Sequence, residues 1–175
     1  RALNERGMRD VIVVDHLEDG RKIHNLAALD VADVIDREAF HAWLAANDTL
    51  GEPIEAIVHQ GACSTTTEWN AREMLRVNYE SSKALLSYCD HHRIPLIYAS
   101  SASVYGRGQT FVEDRKHEHP PNPYAYSKFL FDELVRRTLP SARCPIAGLR
   151  YFNVYGPGEL HKDEQASVAF KLYQR

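Results

Sequence analysis

The sequence has few of the features that nucleic-acid-binding, membrane and disulfide-rich proteins share. Its formal net charge is −3 and no run of Lys and Arg is longer than a pair, so we expect no nucleic-acid partner. No apolar run approaches the roughly 18 residues of a membrane span, so we expect no membrane segment. The cysteines, Cys63, Cys89 and Cys144, are odd in number and form no Cys-x-x-Cys pair, which favours reduced thiols in a cytoplasmic protein.

Metal-ligand patterns are missing as well. Nine histidines are present, yet His91-His92 and the pair His117 and His119 lack a carboxylate or cysteine at ligand spacing, so we expect no metal site. Residues 47–49 fit a glycosylation sequon, but nothing else indicates secretion. An apolar fraction of 44% with 26% charged residues is ordinary for a soluble globule, and the length suffices for one domain.

Short apolar runs alternate with amphipathic segments along the chain. The runs are typical of strands buried on both faces. Alternation of such strands with helices predicts parallel strands joined by right-handed crossovers, hence a doubly wound, Rossmann-like α/β sheet. The predicted strands are residues 11–14, a weaker stretch at 26–29, then 54–59, 95–99 and 146–152; the predicted helices are 36–46, 68–92 and 124–139.

Tyr124 and Lys128 lie four residues apart in a predicted helix, downstream of Ser101 at the end of a predicted strand. Side chains at this spacing share a helix face, so the ammonium favours the phenolate and lowers a phenol pKa that starts near ~10. With the serine hydroxyl on the same substrate oxygen, this set is typical of nicotinamide-dependent enzymes that act on an alcohol. Taken alone, the pair is equally typical of a helix surface. A second pair, Tyr79 and Lys83, has no such serine ahead of it and is interpreted as helix packing and a solvated charge.

Polar or small residues follow four of the predicted strands. Asp15 follows the first, residues 60–64 follow the strand at 54–59, Ser100 and Ser101 follow the strand at 95–99, and Asn153 follows the last. Ligands of open α/β sheets bind beyond the carboxyl ends of the strands, so these positions indicate one binding edge. Asp15 is suited to a ribose hydroxyl, although it is also typical of a capping acid, and Asn153 is equally typical of a turn.

The Gly-rich turn of dinucleotide-binding folds is absent from these residues. Residues 1–7 are typical of the last turn of a helix closed by glycine. We therefore expect the first strand and its turn to lie upstream, and most of the substrate domain to lie downstream. These residues alone are therefore expected to be inactive.

Several longer motifs resemble the ADP-L-glycero-D-manno-heptose 6-epimerase family, a branch of the extended short-chain dehydrogenases/reductases. The resemblance covers essentially the whole chain and is most selective in the Ala-Cys-Ser-Thr-Thr stretch and in His161-Lys162. It is carried by residues 61–69, 98–106, 124–133, 150–157, 161–162 and 166–170. It implies a partial dinucleotide-binding domain at 1–156, the start of a substrate-binding region at 157–175, tightly held NADP and a homo-oligomer, a pentamer in the family. It also implies a bacterial cytoplasmic role in making the heptose of lipopolysaccharide core.

The resemblance assigns roles residue by residue. It implies that Tyr124 and Lys162 are acid/base groups, Ser101 binds the reacting hydroxyl and Lys128 tunes the phenol and holds the cofactor ribose. Substrate contacts are implied for Ser101, Asn153, Glu164 and Lys171. Cofactor contacts are implied for Asp15, His16, Lys22, Arg37, Gln60, Gly61, Ala62, Cys63, Ser64, Asn78, Lys128, Val154 and Lys162.

The residues near Asp15 bear on the choice between NADP and NAD, and the residues after Lys162 differ from the family pattern. Asp15 alone indicates NAD, whereas nearby Lys22 and Arg37 are suited to a 2′-phosphate, so we expect NADP rather than NAD. The family usually has Lys-Gly after its histidine, but Asp163 and Glu164 follow Lys162 here. Two carboxylates would repel a nucleotide diphosphate unless they point away or pair with a cation.

The implied reaction is oxidation and re-reduction at C6″ of an ADP-linked manno-heptose. Three alternatives remain. A 4,6-dehydratase needs an acid beside the serine, and Ala102-Ser103 offers none. A UDP-hexose 4-epimerase shares Ser101, Tyr124 and Lys128 without requiring Lys162. A non-catalytic dinucleotide-binding domain predicts that Tyr124 and Lys128 face away from the cofactor.

Overall fold

A computed structural model of the protein describes residues 1–46 and 53–174; residues 47–49, with their sequon, lie outside the described residues. The strands are β1 Ile12–Asp15, β2 Asp33–Asp36, β3 Ile57–His59, β4 Leu96–Ser101 and β5 Ile146–Tyr151. The α-helices are α1 Ala2–Glu5, α2 Ile23–Leu26, α3 Arg37–Ala46, α4 Ala71–Met74, α5 Ser81–His92, α6 Pro123–Thr138 and α7 Val168–Tyr173. A π-helix spans Leu75–Glu80, and 3-10 helices span Gly20–Lys22, Ala102–Tyr105, Arg115–His117, Leu139–Ser141 and Leu160–Gln165.

All pairing among the described strands is parallel. One ladder pairs β1 with β2, and a second has the order β3-β4-β5, with β4 in the middle. Parallel strands need crossovers, and helices supply them here. The predicted Rossmann-like α/β fold is therefore confirmed.

The chain forms two compact units. The first comprises Arg1–Ala46 with Asn153–Arg175 and contains β1, β2, α1 to α3 and α7. The second comprises Asn47–Phe152, of which residues 53–152 are described, and contains β3 to β5 and α4 to α6.

In the first unit, the predicted extended stretch at 26–29 is wrong. The Asp19 carboxylate accepts a hydrogen bond from the Arg21 amide (3.0 Å) and starts a 3-10 turn that continues directly into α2. The Leu29 amide then bonds the Leu26 carbonyl (2.8 Å), so the apolar spacing reflects helical turns. The strand that pairs with β1 is β2, seven residues farther along the chain than the predicted start.

The helix predicted at 36–46 is confirmed as α3. Asp36 accepts from the Glu38 amide (2.8 Å) at its start, as expected of an N-terminal capping acid. Phe40 stacks on Trp43 with ring centroids 5.3 Å apart, and Leu44 is buried. By contrast β1 is less buried than its apolar run predicts, because its two-stranded ladder leaves Ile12 40% exposed.

In the second unit, β4 and α6 form the centre of the core. Leu96, Tyr98 and Ser100 alternate as the buried residues of β4, and the ring of Tyr98 meets Phe131 of α6 edge-on at 4.7 Å. The helix predicted at 68–92 begins later, at α4, where Asn70 accepts from the Glu73 amide (3.2 Å). None of the described helices is long and apolar enough to cross a membrane.

Gly148 of β5 faces the Tyr98 ring, and a Cβ at this position would lie 2.5 Å from the phenol. The ring cannot yield easily, because its hydroxyl donates to Asp132 (2.9 Å) and the ring itself packs in a T-shaped contact against Phe131. We therefore expect Gly148→Ala to lower the free energy of unfolding by about 1–3 kcal/mol in urea titrations.

Gly61→Ala in the same unit is the matched control, because a Cβ there meets nothing within 4 Å. Equal unfolding midpoints for the two variants would contradict the close approach at Gly148.

Candidate functional site

Tyr124 and Lys128 lie on α6, and Ser101 ends β4. Asn122 caps α6 by accepting from the Ala125 amide (2.8 Å), and Pro123 occupies the first turn, so the helix begins directly before Tyr124. The Lys128 Nζ donates to the Ala99 carbonyl of β4 (2.9 Å). The structure thus brings Lys128 to the strand that carries Ser101, two residues beyond Ala99.

Lys128 is only 6% exposed. Burial lowers its pKa from 10.5 to about 8, although the nearby Asp132 carboxylate acts in the opposite direction. The Ser101 hydroxyl accepts from the Ser103 hydroxyl (2.8 Å) and from its amide (3.2 Å). Tyr124 is partly exposed, so a ligand can reach its phenol, whereas the Lys128 amine is shielded from solvent.

Asn78 fixes the backbone of Cys63. Its amide oxygen accepts from the Cys63 NH (2.8 Å) and its amide nitrogen donates to the Cys63 carbonyl (2.9 Å). The same nitrogen lies 3.1 Å from the Ser127 hydroxyl of α6. Asn78 is 3% exposed and lies in the π-helical segment, a geometry that is frequent at functional sites.

The stretch from Gln60 to Ser64 follows β3, as predicted. Gln60, Gly61 and Ser64 are exposed, and nothing lies within 4 Å of a Cβ built at Gly61. The open space fits the close approach of a dinucleotide to backbone, so these residues are compatible with the expected cofactor. Cys63 is a free, partly buried thiol.

In the first unit, Asp15, His16 and Lys22 form one cluster. The Lys22 Nζ lies 2.9 Å from Asp15 Oδ1 and donates to the His16 carbonyl (3.2 Å), and His16 Nδ1 lies 3.2 Å from the same Oδ1. Hydrogen bonding and the charge of Lys22 outweigh burial and lower the Asp15 pKa. Both side-chain contacts use Oδ1, which leaves Oδ2 suited to accept from a ribose hydroxyl. Arg37 instead pairs with Glu38 (2.9 Å).

The loop between Asn153 and Lys171 is organised by Glu159, which sequence reasoning missed. Its carboxylate accepts from the amides of Gly156 (2.9 Å) and Ser167 (2.6 Å) and from the Ser167 hydroxyl (3.0 Å). These bonds lower the Glu159 pKa. Lys171 Nζ donates to the Glu164 carbonyl (2.6 Å), whereas Asn153, Val154 and Lys162 are exposed.

The expected repulsion by Asp163 is relieved by a cation. Arg21 forms a bidentate pair with this carboxylate, at 2.9 Å to Oδ1 and 2.8 Å to Oδ2, and lowers its pKa. Asp163 also has φ 46° and ψ −116°, which resembles the first central position of a type II′ turn and favours glycine. Such a residue costs roughly 1–3 kcal/mol.

A buried ionic network in the second unit was also missed. Asp132 of α6 accepts from Tyr98 (2.9 Å), from the Ser100 hydroxyl (2.8 Å) and from Arg150 Nη2 (3.0 Å). Arg150 further pairs with Glu118, which is 1% exposed. The only sequence signal was that Asp132 follows Lys128 by four residues on the same helix face. A cavity of about 250 Å³ adjoins this network and contains none of the predicted site residues.

The described residues 1–46 and 53–174 contain no group of three metal-ligand side chains. Tyr79 and Lys83 have the predicted character: the amine lies 5.3 Å from the ring centroid, is 47% exposed and pairs with Glu80. All three cysteines are free, as predicted. Burial raises the pKa of Cys89 to about 12.

The lowered pKa of Lys128 gives a pH test. The folded chain binds this proton less tightly than the unfolded chain, so the penalty applies below about pH 8 and disappears as the pH rises towards 10.5. We expect the unfolding free energy of the natural chain minus that of Lys128→Met to rise by about 2–3 kcal/mol between about pH 7 and about pH 10.5. Cys89 is present in both proteins, so its titration contributes equally to the two unfolding free energies and cancels when one is subtracted from the other. A difference that does not change with pH would show that Lys128 is solvated.

Residues 1–175 match the NAD dependent epimerase/dehydratase family. The ADP-L-glycero-D-manno-heptose-6-epimerase of Helicobacter pylori is 30% identical over 97% of this chain and 55% of its own, with a TM-score of 0.81. The UDP-Glc/GlcNAc 4-epimerase of Campylobacter jejuni is 28% identical over 95% of this chain and 50% of its own, with a TM-score of 0.70.

A UDP-glucose-4-epimerase of Stenotrophomonas maltophila, solved with bound NAD, has the same fold at 24% identity and a TM-score of 0.70, over 88% of this chain and 48% of its own. The chain spans about half the length of these proteins. The match over all of its residues and the 30% identity to one epimerase show that the chain belongs to the NAD dependent epimerase/dehydratase family.

Proposed function

We propose that these residues serve an epimerase that inverts C6″ of an ADP-linked manno-heptose with bound NADP. The observation that carries the proposal is the bond from Lys128 of α6 to the Ala99 carbonyl of β4, which brings the Tyr124 helix to the strand end with Ser101. The sequence similarity to an ADP-heptose epimerase supports the sugar.

The proposed cycle moves one proton at each stage. Ser101 and Tyr124 hold the oxygen of the C6″ hydroxyl, and the phenolate takes its proton. A nicotinamide dinucleotide held by Asp15 and the open backbone at Gly61 would supply reversible hydride transfer at C6″. The Lys128 charge lowers the energy of the phenolate while the amine stays bonded to Ala99. Rotation of the small aldehyde group presents its other face, and Lys162 or Tyr124 delivers the closing proton.

Residues at the ends of β1 and β3 would hold the cofactor. Asp15 Oδ2 is suited to a ribose hydroxyl, and the open backbone at Gly61 is suited to the dinucleotide. The NAD-bound epimerase of the same fold supports a nicotinamide dinucleotide. We propose NADP over NAD because two cations lie near Asp15: Lys22 contacts it, and Arg37 directly follows its register partner on β2, Asp36. An arriving 2′-phosphate can compete with Asp15 for Lys22. The remaining cofactor assignments, from His16 to Val154, stay predictions.

The wider role is proposed on the same grounds. We propose a bacterial, cytoplasmic homo-oligomer, pentameric as the family implies, that makes heptose for lipopolysaccharide core. Substrate contacts are proposed at Asn153, Glu164 and Lys171. The division into a dinucleotide-binding part at 1–156 and a substrate-binding part from 157 remains a prediction.

A UDP-hexose 4-epimerase is the second candidate, because the Campylobacter UDP-Glc/GlcNAc 4-epimerase is nearly as similar in sequence. The deciding experiment measures turnover of the full-length protein on an ADP-linked manno-heptose and on UDP-galactose. Faster turnover of the ADP-heptose supports the first proposal, and faster turnover of UDP-galactose overturns it.

The acid/base role of Tyr124 can be tested by removing its hydroxyl. In the full-length protein, Tyr124→Phe should lower kcat by roughly 10²-fold or more with bound NADP retained, because the change deletes a proton-transfer group and little binding surface. Tyr126→Phe on the same helix, with its side chain 43% exposed, is the control and should leave turnover unchanged. Equal turnover of both variants would exclude Tyr124 as the acid/base.

The acid/base role of Lys162 can be tested by removing its charge. If Tyr124 and Lys162 serve opposite faces of C6″, Lys162→Met should slow epimerisation severely while a dialdehyde-type substrate analogue is still turned over through Tyr124. A neutral side chain of similar length keeps packing and removes the proton. Lys83→Met, which removes an exposed lysine paired with Glu80, is the control. Normal epimerisation by Lys162→Met would leave a 4-epimerase the better account.

A further inference from the structure

Asp163, the residue after Lys162, has a backbone conformation that is unfavourable for any residue with a side chain. Its φ of 46° and ψ of −116° are typical of glycine in a type II′ turn. The Ala166 amide donates to the Asp163 carbonyl (3.1 Å) and closes the turn that follows, from Asp163 to Ala166. Something outside the turn must therefore stabilise this conformation in the folded chain.

Arg21 supplies that stabilisation. Its two terminal nitrogens bond the two Asp163 oxygens at 2.9 and 2.8 Å, and Nη2 also donates to the His161 carbonyl (3.1 Å). The guanidinium therefore contacts the residue immediately before Lys162 and the residue immediately after it. A planar fork is suited to this double contact, and the point charge of a lysine is not.

Arg21 is itself held in place. Asp19 accepts from Arg21 Nε (3.0 Å), Nη2 (2.8 Å) and the amide (3.0 Å). Isolated surface ion pairs contribute little, but a guanidinium fixed between two carboxylates forms a network. Asn25 adds a second tether by donating to the Gly158 carbonyl (3.0 Å). The pKa values of Asp19 and Asp163 are both lowered by Arg21, so the network persists at neutral pH.

We propose that Arg21 is a positioning residue for Lys162: its bidentate contact with Asp163 holds the Lys162 backbone where a proton can be transferred. This role rests on the proposed function of Lys162. It also explains how the loop tolerates Asp163 at a position that favours glycine, because the side chain that strains the turn is the one that Arg21 binds.

The test compares Arg21→Ala in two backgrounds of the full-length protein. In the natural background, we expect hydrogen exchange of the 162–166 amides to accelerate about tenfold or more and kcat to fall about tenfold, with cofactor affinity retained. In the Asp163→Gly background the turn needs no ion pair, so Arg21→Ala should change neither quantity by more than about twofold. Arg9→Ala, which removes an exposed pair with Asp30, is the control in both measurements.

The outcomes distinguish failure of the Arg21–Asp163 contact, here called the clamp, from failure of the proposed function of Lys162. Unchanged exchange in Arg21→Ala, or the same acceleration in both backgrounds, overturns the clamp whatever Lys162 does. Faster exchange with unchanged kcat, in a protein that Lys162→Met inactivates, overturns the positioning role. Unchanged kcat in Lys162→Met shows separately that the proposed function has failed, and the positioning role then falls with it. Arg21→Lys should restore only part of kcat, and full restoration would contradict a bidentate requirement.

Discussion

The second unit depends on the hydrogen bonds that the Asp132 carboxylate accepts. It accepts from Tyr98 and Ser100 of β4 and from Arg150 of β5, so one side chain of α6 ties the helix to two neighbouring strands. The carboxylate is 5% exposed, and a buried charge without partners would cost several kcal/mol. Its full set of donors removes that cost and fixes the rotation of α6, which decides where Tyr124 and Lys128 lie.

The first unit uses surface charges for a similar purpose. Its strands are short and partly exposed, so apolar burial contributes less to the placement of its loops. Among the charged residues named in this unit, Glu159 differs because it is buried, and its carboxylate accepts hydrogen bonds from Gly156 and Ser167. Around it, ion pairs such as Arg21 with Asp163 order the chain locally. These contacts depend on salt and on pH more than the Asp132 network does, because water screens them.

The sequence predicts what depends on local pattern. Apolar runs and the Tyr124 to Lys128 spacing indicate parallel strands and a helix with both side chains on one face, because strand and helix periods are properties of short segments. It does not reveal Glu118, Asp132 and Arg150 as one network, since their partners are far apart in the chain and each looks like an ordinary polar residue. The π-helix around Asn78 is equally hidden, because its residues suit an α-helix.

The pKa of Lys128 follows from competition between its neighbours. Burial favours the neutral amine, and Asp132 favours the ammonium, yet Asp132 already binds Arg150. The shared carboxylate therefore cannot offset all of the desolvation, and the pKa settles at about 8. At neutral pH the amine is still mostly charged, as the role proposed for Lys128 requires. A core that gave Asp132 wholly to Lys128 would raise this pKa but would remove one of the two carboxylates that pair with the buried Arg150. The network that fixes the helix therefore also limits how strongly the lysine holds its proton.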